Sequence, residues 1–227
     1  MRERIIEAAA RAGRDPTAIT LVAVSKSQAA EKIREAAEAG QLIFGENRTE
    51  EAAPKISSLS GIAGLEWHMI GHVQSRKARE VVAAGFALVQ SVDTLKLAER
   101  LALFAAEADR RQAVLLEMNV SGQASKAGFR AEARELWPAL MPGMRQVMEL
   151  RSLEVRGLMT MAPQVPDPDL ARPYFERLRE LADYLGRHVP LGPSPVLSMG
   201  MTDDFEVAIE AGATMVRIGR AIFGERD

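Results

Sequence analysis

The sequence predicts an α/β fold, one closed barrel of eight parallel strands wrapped by helices, with an extra helix at the N-terminus. Eight short apolar runs recur along the chain: LVAVSK, LIFGE, WHMIG, FALVQSV, AVLLEMNV, VRGLMT, VLSMG and MVRIG. Between them lie segments of helical period, including AAEKIREAAEAG, TLKLAERLALFAAEA and YFERLRELADYLG, each with one apolar stripe to lay on a sheet. The first run is followed by Lys26, Ser27 and Gln28, without the phosphate-binding glycine fingerprint of an open doubly wound sheet. Eight strand-helix units in this length fit a (β/α)8 TIM barrel. No linker, repeat or low-complexity tract divides it, so residues 1–227 read as one domain.

The elements follow in order. MRERIIEAAARAGRD is a charged amphipathic helix that lacks the apolar centre of a secretory signal. In LVAVSK, Val22 and Val24 share a face, and the next residue on that face is Lys26. LIFGE delivers Glu46 and Asn47 to the strand exit, where Asn47 is also a candidate helix N-cap. WHMIG carries His68, and the loop after AVLLEMNV carries Lys126, for which solvation is the ordinary expectation. VRGLMT leads into APQVPDPD, a proline-rich loop at the end of the barrel that holds functional loops, or a plain surface excursion. YFERLRELADYLG aligns Tyr174, Leu178, Leu181 and Leu185 before Gly186, a C-cap candidate. VLSMG puts Ser198 and Gly200 on one face, with Thr202 or Asp203 placed to cap the next helix. MVRIG turns Val216 and Ile218 outward and Arg217 and Gly219 inward, ahead of a helix that begins near Arg220.

Composition narrows the chemistry. A chain that is 47% hydrophobic and 26% charged can fill a core and is not disordered. A net charge of -2 gives no basic excess for nucleic acid or an anionic membrane. The absence of cysteine removes disulfides, thiolate nucleophiles and thiolate-bound metals. No segment stays apolar long enough to span a bilayer, so the expected setting is soluble and cytoplasmic. His68 and His72 have the spacing of a zinc helix, but HMIGH comes off a strand, contains glycine and lacks the glutamate of HExxH, so no metal is expected. The eleven methionines read as adaptable core.

What remains is a constellation at the strand ends. A lysine in a desolvated pocket beside another cation loses proton affinity and can attack a carbonyl as a neutral amine. Glycines at the exits of the last two strands, with a helix start after each, make an anion cup. A phosphorylated aldehyde suits both. Pyridoxal 5'-phosphate (PLP) would form a covalent imine on Lys26, set its phosphate over Ser198, Gly200, Gly219 and the Arg220 backbone, and turn its ring nitrogen to Arg217. Each piece also has a plain structural reading: a snorkelling Lys26, a serine that satisfies backbone, glycines that serve turns. A Schiff-base aldolase acting on a phosphorylated sugar is a competing function.

The motifs LVAVSK, FGENRTEEA, WHMIGHVQSRK, SVDTLKLAERL, MNVSGQASKAGF, RGLMTMAP and LSMGMTDDFEVAIEAGATMVRIGRAIFG resemble those of the pyridoxal phosphate homeostasis proteins over nearly the whole chain. The resemblance implies a fold-type-III barrel like the alanine racemase N-terminal domain, PLP on Lys26, and contacts from Asn47, Ser198, Arg217 and Gly219. His68 either reaches the ring from the third strand or is a hydrogen-bonded core histidine. Three positions depart from the family: Gln28 where proline and a second lysine are usual, Arg76 where asparagine is common, and Gln123 where some members are acidic, which bears on any role of Lys126. The implied function is to bind, buffer and deliver PLP to apo enzymes without robust turnover. Racemases add a C-terminal β domain and dimerise, whereas this sequence stops at Asp227, so a monomer is expected. Arginine at the ring nitrogen also leaves the ring a poor electron sink. The alternative is a weak racemase-like or decarboxylase-like enzyme.

Overall fold

The computed structural model describes residues 1–192 and 194–224. The eight apolar runs fold as β1 (Thr20–Val24), β2 (Ile43–Glu46), β3 (Glu66–Met69), β4 (Leu88–Val92), β5 (Gln112–Asn119), β7 (Leu153–Met159), β8 (Val196–Ser198) and β9 (Met215–Ile218). Their order, β4-β3-β2-β1-β9-β8-β7-β5, closes through a β4–β5 pairing, and every pairing is parallel. The sheet is therefore a closed eight-stranded barrel. A two-residue strand that the apolar pattern does not signal, β6 (Phe129–Arg130), pairs with the end of β5 at the rim.

Period-2 alternation sorts each strand's side chains. Outward residues such as Ala23, Phe44, Val89, Val114, Leu116, Val216 and Ile218 join the main core beneath the helices. Val22, Leu88, Ala113, Leu115, Met159 and Met215 form a separate cluster that plugs the barrel interior. Two residues further along, the same face turns polar: Leu88 gives way to Gln90, Leu115 to Glu117, and Met215 to Arg217, all buried. The chemistry-bearing residues therefore stand on an apolar floor.

Around the barrel run α1 (Arg2–Arg11), α2 (Ala30–Glu38), α3 (Thr49–Ser58), α4 (Ala78–Ala83), α5 (Leu95–Glu107), α6 (Trp137–Glu149), α7 (Arg172–Gly186), α8 (Phe205–Glu210) and α9 (Arg220–Phe223). The extra helix α1 buries Ile5, Ala8 and Ala9. Arg14, just beyond it, donates to the carbonyls of Ile209 (2.6 Å) and Ala213 (2.7 Å), closing the last turn of α8.

Three local expectations change. Gly186 is the last residue inside α7, and the cap is Arg187 at an ordinary φ of −81°, so no left-handed glycine ends this helix. Phe175, not Tyr174, centres the α7 stripe with Leu178, Leu181, Ala182 and Leu185. The N-cap of α8 is Asp204, whose carboxylate accepts from the Met201 amide at 2.6 Å; Asp203 instead pairs with Arg220.

Candidate functional site

A cavity of about 840 Å3 opens at the C-terminal ends of the strands. Lys26, Lys126, Arg217, Gly219 and Arg220 lie in its wall together with Asp203 and Asp204. Lys26 stands two residues past β1, in a tight turn closed by the Gln28 amide donating to the Ser25 carbonyl at 3.0 Å. Lys126 donates to the Ala162 carbonyl at 3.3 Å, which carries the loop after β5 across to the loop after β7.

Arg217 is fixed from below. Its Nη2 donates to the Thr160 carbonyl (3.0 Å) and its Nη1 to Ser198 Oγ (2.6 Å). Ser198 Oγ donates in turn to Gln90 Oε1 (2.6 Å), and Gln90 Nε2 meets His68 Nδ1 at 2.9 Å. With the Gln90 amide donating, His68 Nδ1 accepts, so the imidazole is neutral with its proton on Nε2. Burial drives the His68 pKa down to about 4, and the Arg156 charge adds to this. Burial also lowers Arg217 to about 10, against the charges of Glu117 and Asp204, so it is protonated at neutral pH. Glu117 is pushed up to about 7 by burial and by Asp93, against Arg217, His72 and Lys126. Burial raises Asp204 as well, opposed by the Met201 amide and Arg217.

Four of the residues expected from sequence, Lys26, Arg217, Gly219 and Arg220, meet around this cavity. Ser198 is fully buried behind Arg217, its hydroxyl proton committed to Gln90. His68 lies deeper on the same chain of hydrogen bonds. Asn47 lines a second cavity of about 500 Å3 with Arg48, His72, Arg76 and Lys77, and the N-cap of α3 is Arg48. The two glycines differ. Gly200 has a φ of +92°, and a Cβ there would stand 2.6 Å from Ala208 Cβ and 2.9 Å from Phe205 Cα, so the packing of α8 requires it. Gly219 has an ordinary φ of −114°, and an added Cβ meets nothing nearer than Val24 at 3.4 Å. The fold does not need glycine at 219, and this position lies in the cavity wall.

The pattern of the alanine racemase N-terminal domain family matches residues 1–227. A pyridoxal phosphate homeostasis protein of Aquifex aeolicus is 41% identical over 225 residues, covering 99% of this chain and 94% of that protein. Its counterpart in Pseudomonas aeruginosa is 46% identical over 230 residues, covering 99% and 92%. The chain belongs to the pyridoxal phosphate homeostasis protein family. Among solved structures, PipY of Synechococcus elongatus PCC7942 with PLP bound superposes with a TM-score of 0.82 at 36% identity, covering 97% of this chain and all of that one. Alanine racemase of Clostridium difficile 630 reaches 0.69 at 12% identity over 56% of its own length, a likeness of fold alone.

In this family member the sequence reading passes over three groups that hold the site. Gln90 sits within FALVQSV and reads as part of an apolar run, although Leu88 and Gln90 alternate onto the barrel face. The Thr160 carbonyl has no side-chain signal at all. Glu117 carries its signal in AVLLEMNV, an acid inside an otherwise apolar strand. His72 pairs with Asp93 at 3.1 Å, and no metal-holding group of histidine and carboxylate side chains occurs among the described residues.

Proposed function

We propose that this chain binds PLP in the cavity above the barrel, through a Schiff base on Lys26, and stores and delivers it without turnover of its own. The observation that carries the reading is the convergence of Lys26, Arg217, Arg220 and the side-chain-free Gly219 on one cavity. The donor set suits the ligand. Lysine and arginine side chains outnumber the carboxylates of Asp203 and Asp204 in the wall, as an anionic phosphate ester demands, and Lys26 supplies the amine that an aldehyde condenses with, releasing water. When bound, PLP supplies that aldehyde and an electron-withdrawing ring. The relatives' names and the PLP-bound PipY support the same ligand.

The chain's own residues favour holding over turnover. Gly219 and the first-turn amides of α9 at Arg220 and Ala221, which have no acceptor within the helix, receive the phosphate, with Gly200 and Ser198 one strand away. Arg217 would face the ring nitrogen as a donor and cannot accept a proton, so the pyridine would stay unprotonated and carbanion chemistry would be disfavoured. Asn47, from the second cavity, and His68, from beneath through Gln90 and Ser198, would complete the surroundings of the ring. The protein acts as one domain over residues 1–227, as a cytoplasmic monomer, with apo PLP enzymes as acceptors. No helix among the described residues is long and apolar enough to cross a membrane, which is consistent with that setting.

The test is α-hydrogen exchange. The PLP-loaded protein, incubated with a panel of L-amino acids in heavy water, should leave their α-proton signals unchanged; exchange that depends on Lys26 would make the protein a racemase-like enzyme. The glycines give a second expectation. Gly219→Ala should weaken PLP binding by about 10-fold or more, since a methyl group intrudes on a site built for close approach. Its unfolding midpoint should stay near that of the unaltered chain. Gly200→Ala should instead lower stability by about 1–3 kcal/mol through overpacking against α8. Calorimetry paired with a PLP titration separates the two, and equal effects at both positions would count against a cup at Gly219.

A further inference from the structure

On the outer face of the barrel, directly behind the Lys26 turn, lies a charged cluster that the cavity does not contain. Lys55, on α3, is buried with its ammonium making three bonds: to the Ser25 carbonyl (2.9 Å), Glu46 Oε1 (2.8 Å) and Glu51 Oε1 (2.6 Å). Ser25 Oγ donates to the same Glu46 oxygen at 2.6 Å, and the Ser27 amide donates to Glu51. Glu46 is fully buried, and its other oxygen, Oε2, has no hydrogen-bond partner.

Two features separate this cluster from an ordinary strut. Its bonds to the turn after β1 converge on Ser25 and Ser27, the two residues that flank Lys26. And Ser27 is held at a φ of +61°, a left-handed conformation that a residue with a Cβ adopts only at a cost. The turn has glycine chemistry without glycine, and the Glu51 carboxylate is what pins its amide. Apolar packing would join α3 to β1 as firmly as buried ions do, so stability alone does not call for charges here.

We propose that Glu51 and Lys55, with Glu46, are positioning residues that lock the Ser25–Ser27 turn so that the Lys26 amine points into the cavity in the geometry needed for condensation with an aldehyde. This inference rests on the Schiff-base reading above. The cluster touches neither cavity nor ligand; it acts through the backbone on both sides of Lys26.

The experiment compares Glu51→Ala and Glu51→Gln with the unaltered chain. One readout is the rate at which a borohydride-trappable PLP adduct forms on Lys26, mapped by mass spectrometry. The other is the affinity for 4'-deoxypyridoxine 5'-phosphate, which keeps the ring and phosphate but has no aldehyde. Glu51→Ala should slow adduct formation about 10- to 100-fold, the loss expected when a reacting group is misplaced by a fraction of an ångström or more. It should bind the analogue as tightly as before. Glu51→Gln, whose amide oxygen still accepts from Ser27, should recover most of the rate. Adduct formation at the unaltered rate in Glu51→Ala overturns the inference, as does an analogue affinity that falls in step with the rate, since that marks general damage. An unaltered chain that traps no adduct on Lys26 removes the Schiff-base reading itself and the inference with it.

Discussion

Lys26→Ala is expected to abolish the coloured, borohydride-trappable PLP adduct proposed above and to leave a folded protein that still holds the cofactor's phosphate and ring. The turn that carries residue 26 is fixed by its neighbours, through the Gln28 amide, Lys55 and Glu51, so alanine can occupy the same backbone. The unfolding midpoint should therefore move by only a few degrees, the scale of about 1 kcal/mol in a chain of this size. Mass spectrometry of the reduced complex checks the assignment. An adduct that survives in Lys26→Ala and maps to Lys126 would give the amine role to the loop after β5.

The second large effect is on stability against pH. The folded His68 pKa of about 4 lies below its ordinary 6.5, so the stability this residue contributes is complete above pH 6.5 and is lost as pH falls toward 4. Glu117 has the opposite sign. Its folded pKa of about 7 lies above the ordinary 4.5, so its contribution is complete below pH 4.5 and is lost as pH rises toward 7. Each amounts to about 3 kcal/mol across its window, and the windows overlap, so in the unaltered chain the two slopes offset each other. Glu117→Gln removes one of them. The variant should lose about 3 kcal/mol between pH 6.5 and 4 that the unaltered chain retains, and His68→Gln should show the mirror image, gaining stability on acidification. Urea unfolding at three or four pH values measures both. A Glu117→Gln profile parallel to that of the unaltered chain would show that this carboxyl ionises in the folded state as readily as in water.

The barrel was legible because period 2 is a local property. Val22, Val24 and Lys26 alternate onto one face in the sequence and in the structure, as do Met215, Arg217 and Gly219, and no knowledge of the partner strand is needed to see it. The same rule puts Ser198 on the inner face correctly but says nothing of where its hydroxyl points, because that depends on Gln90, 108 residues away. Asn47 leaves its strand at the right end of the barrel, yet which of the two cavities it lines depends on how the loops after β2 and β3 pack. Gly200 and Gly219 look alike in SMG and RIG; only the neighbours a Cβ would meet show that packing requires the first and leaves the second free to vary. The Lys55 cluster was hidden for a related reason: Glu46 ends a strand while Glu51 and Lys55 sit on a helix, and their meeting follows from α3 lying against β2 and the turn after β1.

The run of hydrogen bonds from Arg217 through Ser198 and Gln90 to His68 has a fixed direction, each group donating to the next. An amide in the middle of such a run does not ionise, and passing a proton along it would require Gln90 to become an imidic acid or to turn over within packed surroundings. The run is thus an insulator and not a wire. No proton passes along this run from His68 to Arg217. Along this line the site is quiet toward proton traffic from His68, a property that suits the storage role proposed above.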